Sequence, residues 1–223
     1  MSNAEQKKQA VARVAIEYVE YDDIIGVGTG STVDYFIEYL KPLKNKISGT
    51  VASSISTKEK LEANGIRVLD LNEVSDIPIY IDGADEVNPN LQLIKGGGGA
   101  LTREKIIAGA SQKFLCIVDE SKLVDVLGKF PLPLEVLPMA RSFVAREIIK
   151  IKGMPIWREE LITDNGNIIL DINHLDIIEP IKLEKELNQI PGVVTVGLLA
   201  ARGADKVLVS NDDEVKELKK INL

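Results

Sequence analysis

Four glycines in a row, Gly96, Gly97, Gly98 and Gly99, stand between Lys95 and a segment that reads as a helix start. A helix or strand interior does not tolerate such a run. Each glycine loses more backbone freedom on ordering than any other residue and offers no side chain to pack. The run is therefore a turn, and its flanks locate it. Residues 79–82 read as a short apolar strand that becomes polar at Asp82, Gly83, Ala84, Asp85 and Glu86. After the glycines, Glu104 falls in the first turns of the helix. In open α/β sheets, ligands bind beyond the carboxyl ends of strands. A strand, an acidic turn, a lysine, a glycine turn and a helix carboxylate together make residues 79–104 the candidate reactive centre.

A second strand-to-turn junction lies upstream. Residues 24–28 read as a strand that breaks into Gly28, Thr29, Gly30, Ser31 and Thr32, followed by a helix with Val33, Phe36, Ile37 and Leu40 on one face. Such a turn exposes backbone N–H groups at a helix N-terminus, where the dipole favours negative charge. The spacing is neither a Walker A loop nor a full Gly-x-Gly-x-x-Gly, because position 33 is valine. It indicates an anion or nucleotide turn, or a structural glycine turn, and no more.

The remaining pattern alternates. Residues 5–21 read as a helix with Val11, Val14, Ala15, Tyr18 and Val19 on one face. Lys7 and Lys8 in its first turns are either solvated or reach an anion. Residues 50–54 read as a strand, and Thr57 as the cap of a helix that stops at Gly65. Residues 67–70 and 77–81 follow as strands, 102–110 as a helix and 114–118 as a strand, with Lys122 just past that strand's end. Strands alternating with helices predict an α/β fold with a doubly wound, mostly parallel sheet. Residues 130–138 break the pattern with three prolines, which suits an extended segment leaving the first domain. Beyond it, a helix over 141–152, short strands at 154–157, 161–162 and 168–172, a helix over 181–187 and a strand over 193–198 make a smaller α+β unit. Residues 164–167 carry a hairpin-turn signal. A strand over 206–210 rejoins the first sheet, and a helix over 213–221 closes the chain. The division expected is 1–131 with 203–223, and 132–202.

Charge and composition exclude several classes. The net charge of −7 argues against a general nucleic-acid binder, which carries a basic face. No apolar run reaches the length of a membrane span, and the N-terminus lacks the apolar stretch of a signal peptide. The single cysteine, Cys116, cannot form an internal bridge and sits in an apolar run, so it reads as a buried hydrophobe. A cytoplasmic protein is expected.

His174 is the only histidine and lies far in sequence from the carboxylates, which argues against a histidine-centred triad. No His/Cys cluster has zinc spacing. Asp82, Asp85 and Glu86 could bind Mg²⁺ through oxygen, against which stand the nearby Lys95 and Lys122. Carboxylates, lysines, hydroxyls and N–H groups suffice for proton transfer beside a carbonyl. A glutamate takes a proton from carbon, and cations or N–H groups stabilise the enediolate oxygen. The structural alternatives are an Asx-type turn for Asp82 and Asp85, and a dipole-stabilised first-turn glutamate for Glu104.

Taken together, the motif at 28–32, the Asp82–Gly83–Ala84–Asp85–Glu86 turn, the block from Lys95 to Glu104 and the motif at 119–122 resemble ribose-5-phosphate isomerase A. The similarity continues through residues 163–167 and 191–197 and covers essentially the whole chain. The resemblance implies a Rossmann-like catalytic domain with a smaller α+β domain. It implies interconversion of D-ribose 5-phosphate and D-ribulose 5-phosphate through an enediolate, in the non-oxidative pentose phosphate pathway, with no metal or other cofactor. By resemblance Glu104 is the base, and Asp82 and Asp85 contact sugar hydroxyls and assist ring opening. Lys95 acts at the substrate. Thr29, Gly30, Ser31, Thr32, Gly83, Ala84, Gly96, Gly97, Gly98 and Lys122 bind it, and Lys8 lies near the phosphate. A homodimer is implied, with a tetramer as the alternative, and no nucleic-acid or membrane partner. Leu199 departs from the pattern, since relatives often carry phenylalanine there.

Three rivals remain at this stage. An amino-sugar phosphate isomerase/deaminase would release ammonia from glucosamine 6-phosphate. A sugar-phosphate sensor would come with a DNA-binding segment. A nucleotide-dependent enzyme using the Gly28 turn would bind NAD or S-adenosylmethionine.

Overall fold

The computed structural model describes residues 2–218. In chain order the helices are α1 (Asn3–Ala15), α2 (Ser31–Leu40), α3 (Ile55–Ala63), α4 (Leu101–Ala110), α5 (Arg141–Lys150) and α6 (Pro180–Asn188). The strands are β1 (Ile24–Val27), β2 (Gly49–Ala52), β3 (Ile77–Asp82), β4 (Glu86–Val87), β5 (Leu93–Ile94), β6 (Ser111–Asp119) and β7 (Leu132–Val136). They continue as β8 (Met154–Trp157), β9 (Ile168–Asn173), β10 (Val193–Val196), β11 (Leu198–Leu199), β12 (Lys206–Ser210) and β13 (Val215–Leu218). Among the described residues no helix is long and apolar enough to cross a membrane.

The chain divides into two compact units. The first holds the described residues up to Ala84, Arg103–Lys122, and those from Ala204 onward. The second holds Asp85–Thr102 and Leu123–Gly203. This division differs from the one read along the chain. Residues 85–102 join the second unit because β4 pairs with β5 and β5 pairs with β11, all antiparallel.

The first unit is built on a six-stranded sheet in the order β13-β12-β6-β3-β1-β2. All neighbours are parallel except β13, which runs antiparallel to β12. Parallel strands need both faces covered, and β1, β3 and β6 are accordingly almost continuously buried. One face of α2 supplies Val33, Phe36, Ile37 and Leu40 to the core, against Val11, Ala12 and Ala15 of α1. Ser2 starts α1 with a reciprocal capping box to Glu5. The expected helix to residue 21 is shorter: α1 ends at Ala15, a 3-10 turn covers Ile16–Tyr18, and Val19 is extended. The cap of α3 is Ser54 rather than Thr57, since the Ser54 side chain accepts from the Thr57 N–H. Gly65 follows that helix at φ +69°, as a C-terminal stop requires. Residues 67–70 make only a single bridge, Thr50 with Val68, and no ladder.

The expected closing helix is overturned over its described part. Asn211 accepts hydrogen bonds from the backbone N–H groups of Asp213 and Glu214, which turns the chain. Val215–Leu218 then pairs with β12 as an edge strand, tied down by Tyr18 and Lys206 on Glu217. Residues 219–221 of that expectation lie outside the described residues.

The second unit has a four-stranded antiparallel sheet, β10-β7-β9-β8, and a three-stranded one, β11-β5-β4. The proline-rich segment is not merely extended: it forms β7, paired on both sides and buried throughout. Leu132, Leu134 and Val136 of β7 meet Ile168, Leu170 and Ile172 of β9, with Val144 and Ile148 of α5 and Leu187 of α6 closing the core. Residues 161–162 form no strand; they belong to the connection between β8 and β9. The expected 193–198 strand is split into β10 and β11, which join different sheets. Leu199 is buried in β11 opposite Leu93.

Candidate active site

In the first unit the chain runs from β1 to β2 on one side and returns to β3 on the other. Strand order therefore reverses at β1, and the carboxyl ends of β1 and β3 flank the switch point where ligands bind in such sheets. Gly28 leaves β1 and Asp82 ends β3. The Asp82 carboxylate is fully buried and accepts hydrogen bonds from the N–H of Thr29 (3.0 Å) and of Gly83 (2.7 Å) at Oδ1. Its Oδ2 accepts from the Tyr80 hydroxyl. Gly28 is required for this approach, because a Cβ there would lie 1.9 Å from Asp82 Oδ1.

Hydroxyls crowd the same strand ends. Thr29 Oγ1 lies 2.7 Å from Ser53 Oγ and 3.1 Å from Thr57 Oγ1, and donates to Ser54 Oγ at 2.9 Å. Thr57 Oγ1 donates to the carbonyl of Gly28 at 2.7 Å, which fixes the turn from below. Gly30 then caps α2 at φ 121°, a conformation open to glycine, and Ser31 and Thr32 begin the helix. Lys8 Nζ donates to Ser31 Oγ at 2.9 Å, so a cation stands at the α2 N-terminus. Lys7 does not share that role. Hydrogen bonds to Asp212 (2.8 Å) and Glu120 (2.6 Å) hold its ammonium well above the usual lysine range.

Glu104 lies in the first turn of α4 and is 4% exposed. Tyr80 links it to Asp82. The Tyr80 phenol is held well above its ordinary range by burial, then by the negative charges of Asp82 and Glu104. Both carboxylates thus act on one buried hydroxyl, which stays protonated and keeps donating to Asp82. Lys122 is half-buried in the 3-10 turn Glu120–Lys122 after β6, one strand over from β3. Ala84 closes this unit's share of the acidic turn.

The second unit carries Asp85, Lys95 and the glycines. Asp85 Oδ2 accepts from the Gly97 N–H at 2.8 Å, and a Cβ on Gly97 would come within 2.6 Å of Asp85 Oδ1. Lys95 is 3% exposed, and its backbone N–H donates to the carbonyl of Gly197. Gly96 and Gly99 adopt φ +105° and +83°, while a Cβ on Gly98 would meet nothing within 4 Å. Thr102, in the first turn of α4, donates to Glu135, a fully buried carboxylate of β7. Glu135 also accepts from Thr163 Oγ1 (2.8 Å), Asn167 Nδ2 (2.8 Å) and Asn165 Nδ2 (3.1 Å). The hairpin signal at 164–167 is therefore also a ligand shell for a buried charge.

Sequence reasoning missed Ser53, Ser54, Thr57 and Tyr80. The first two were accessible to it: they follow β2 as Thr29 follows β1, and the strand-end rule applies to both. Tyr80 carries no such signal, since it sits at an apolar strand position. Among the described residues no group of three or more His, Cys, Asp or Glu side chains is arranged to hold a metal ion.

The family model for ribose 5-phosphate isomerase A (phosphoriboisomerase A) matches residues 49–214. The crystal structure of ribose 5-phosphate isomerase A from Neisseria gonorrhoeae is 45% identical, covers 98% of each chain and superposes with a TM-score of 0.96. The enzyme from Methanocaldococcus jannaschii is 41% identical over 98% of this chain and 100% of its own, with a TM-score of 0.93. A D-ribose-5-phosphate isomerase solved in complex with phospho-erythronic acid is 40% identical, with the same coverage and TM-score. The chain belongs to the ribose 5-phosphate isomerase A family.

Proposed function

We propose that this isomerase interconverts D-ribose 5-phosphate and D-ribulose 5-phosphate through an enediolate, without a metal ion, with Glu104 as the base. Glu104 takes the proton from C2 of the open-chain aldose and returns it to C1. The O2 proton is lost and O1 gains one, so the carbonyl moves from C1 to C2. The observation that carries this reading is the Glu104 carboxylate buried in the first turn of α4. A carboxylate withheld from water is suited to take a proton from carbon. Asp82, held by three donors, is suited to orient sugar hydroxyls and to assist ring opening.

The phosphate is assigned to Thr29, Gly30, Ser31 and Thr32 with Lys8, where N–H groups, hydroxyls and a cation converge on a helix N-terminus. Lys122 is a further cation for it. In the second unit, Lys95 is assigned to the substrate oxygens, and Gly96, Gly97 and Gly98 to N–H contacts with them. Asp85 is assigned to a sugar hydroxyl. The relative solved with phospho-erythronic acid holds a phosphorylated sugar acid, whose planar carboxylate has the shape of an enediolate. The setting proposed is the non-oxidative pentose phosphate pathway, in the cytoplasm, as a homodimer or tetramer.

A coupled assay for ribulose 5-phosphate, run on ribose 5-phosphate in excess EDTA, tests the reaction and its metal independence together. Full activity is expected, with no ammonia released from glucosamine 6-phosphate. Activity lost in EDTA and restored by Mg²⁺ would overturn the metal-free reading.

A further inference from the structure

Arg158 follows β8 and is bound from two directions. Its Nε donates to Asp171 Oδ2 at 2.9 Å and its terminal nitrogen to Asp171 Oδ1, a bidentate pair in which both side chains are about four-fifths buried. The other terminal nitrogen donates to the carbonyls of Gly96 (3.2 Å) and Gly97 (3.0 Å). Asp171 belongs to β9, in register with Pro133 of β7, so the guanidinium is fixed to the sheet. Its backbone is fixed as well, since Arg158 N–H donates to the carbonyl of Ile169.

Glycines cost more than other residues to order, and nothing in their own side chains can hold them. A trans peptide is planar, with the N–H pointing opposite to the carbonyl of the preceding residue. Holding the Gly96 carbonyl therefore aims the Gly97 N–H, which donates to Asp85. Holding the Gly97 carbonyl aims the Gly98 N–H. Gly98 is the position beside which there is open space.

We propose that Arg158, clamped by Asp171, is a positioning residue: through the Gly96 and Gly97 carbonyls it aims the N–H groups of Gly97 and Gly98, setting Asp85 and presenting the Gly98 donor to substrate. The last step rests on the assignment of these glycines to the substrate. Lysine is a poor substitute, because one ammonium cannot grip a carboxylate with two parallel bonds and reach two carbonyls.

Arg158→Ala is expected to speed amide exchange at Gly97, whose N–H is protected by Asp85 in the free enzyme. It is expected to raise KM and to lower kcat/KM by roughly tenfold or more, as misplaced donors do. Guanidinium ion, below the concentrations that unfold the protein, should restore part of the loss, and Arg158→Lys should not. Asp171→Asn, which leaves the arginine in place without its clamp, should show a milder version of the same KM rise and faster exchange. If Arg158→Ala is poorly folded, Asp171→Asn carries the test. Unchanged exchange at Gly97 would overturn the proposal. Faster exchange with wild-type kinetics would instead remove the glycines from substrate binding while leaving the brace in place.

Discussion

Glu104→Gln is expected to lower kcat by about 10²–10⁴-fold, the usual contribution of a positioned general base. That corresponds to roughly 3–5 kcal/mol of transition-state stabilisation. The amide keeps the size and shape of the carboxyl group, so KM should change little. The loss should appear almost wholly in kcat, the pattern of an interaction made in the transition state alone. Steady-state kinetics on ribose 5-phosphate, with a binding measurement on a phosphorylated sugar acid, reads both. A variant with wild-type kcat would mean that Glu104 is not the base, and its burial would then need another explanation.

Gly28→Ala should be nearly as damaging, for a different reason. The new Cβ would fall 1.9 Å from Asp82 Oδ1 and 2.0 Å from its Cγ, far inside contact distance. Either Asp82 swings away, or β1 and β3 separate at their carboxyl ends. In the first case the carboxylate loses the Thr29 N–H and the Tyr80 hydroxyl. In the second the sheet pays an overpacking penalty of about 1–3 kcal/mol. The expected result is a lowered melting temperature together with a large fall in kcat/KM. Gly109→Ala is the control, since a Cβ there meets nothing within 4 Å and alanine favours the helix. If Gly28→Ala matched the wild type in both stability and turnover, the close approach of Asp82 would not matter to function.

The first sheet was largely legible in advance because its signals are local. Apolar runs ending in glycine or aspartate mark β1 and β3, and the 3.6-residue spacing of Val33, Phe36, Ile37 and Leu40 marks α2. What escaped reading depends on partners distant in sequence. Strand β13 looks helical until Asn211 turns the chain back onto β12. The short strands β4 and β5 have two residues each, too few for any periodicity, and take their identity from pairing with each other and with β11. Candidate site residues could be named from motif and resemblance. The groups that hold them could not, because Tyr80, Ser53, Arg158 and Glu135 act through contacts made only after folding. Lys7 and Lys8 show the same limit. They are adjacent and chemically alike, yet one is consumed by Asp212 and Glu120 and the other reaches Ser31.

The proton route is open to direct measurement. Ribose 5-phosphate can be converted partway in D₂O containing EDTA, and the ribulose 5-phosphate isolated and examined for deuterium at C1. A base that lifts a proton from C2 and returns one to C1 exchanges it in part with solvent, so deuterium at C1 is the expected result, formed at a rate that collapses in Glu104→Gln. Product formed with no deuterium on carbon and at an undiminished rate in Glu104→Gln would contradict the enediolate route with Glu104 as its base.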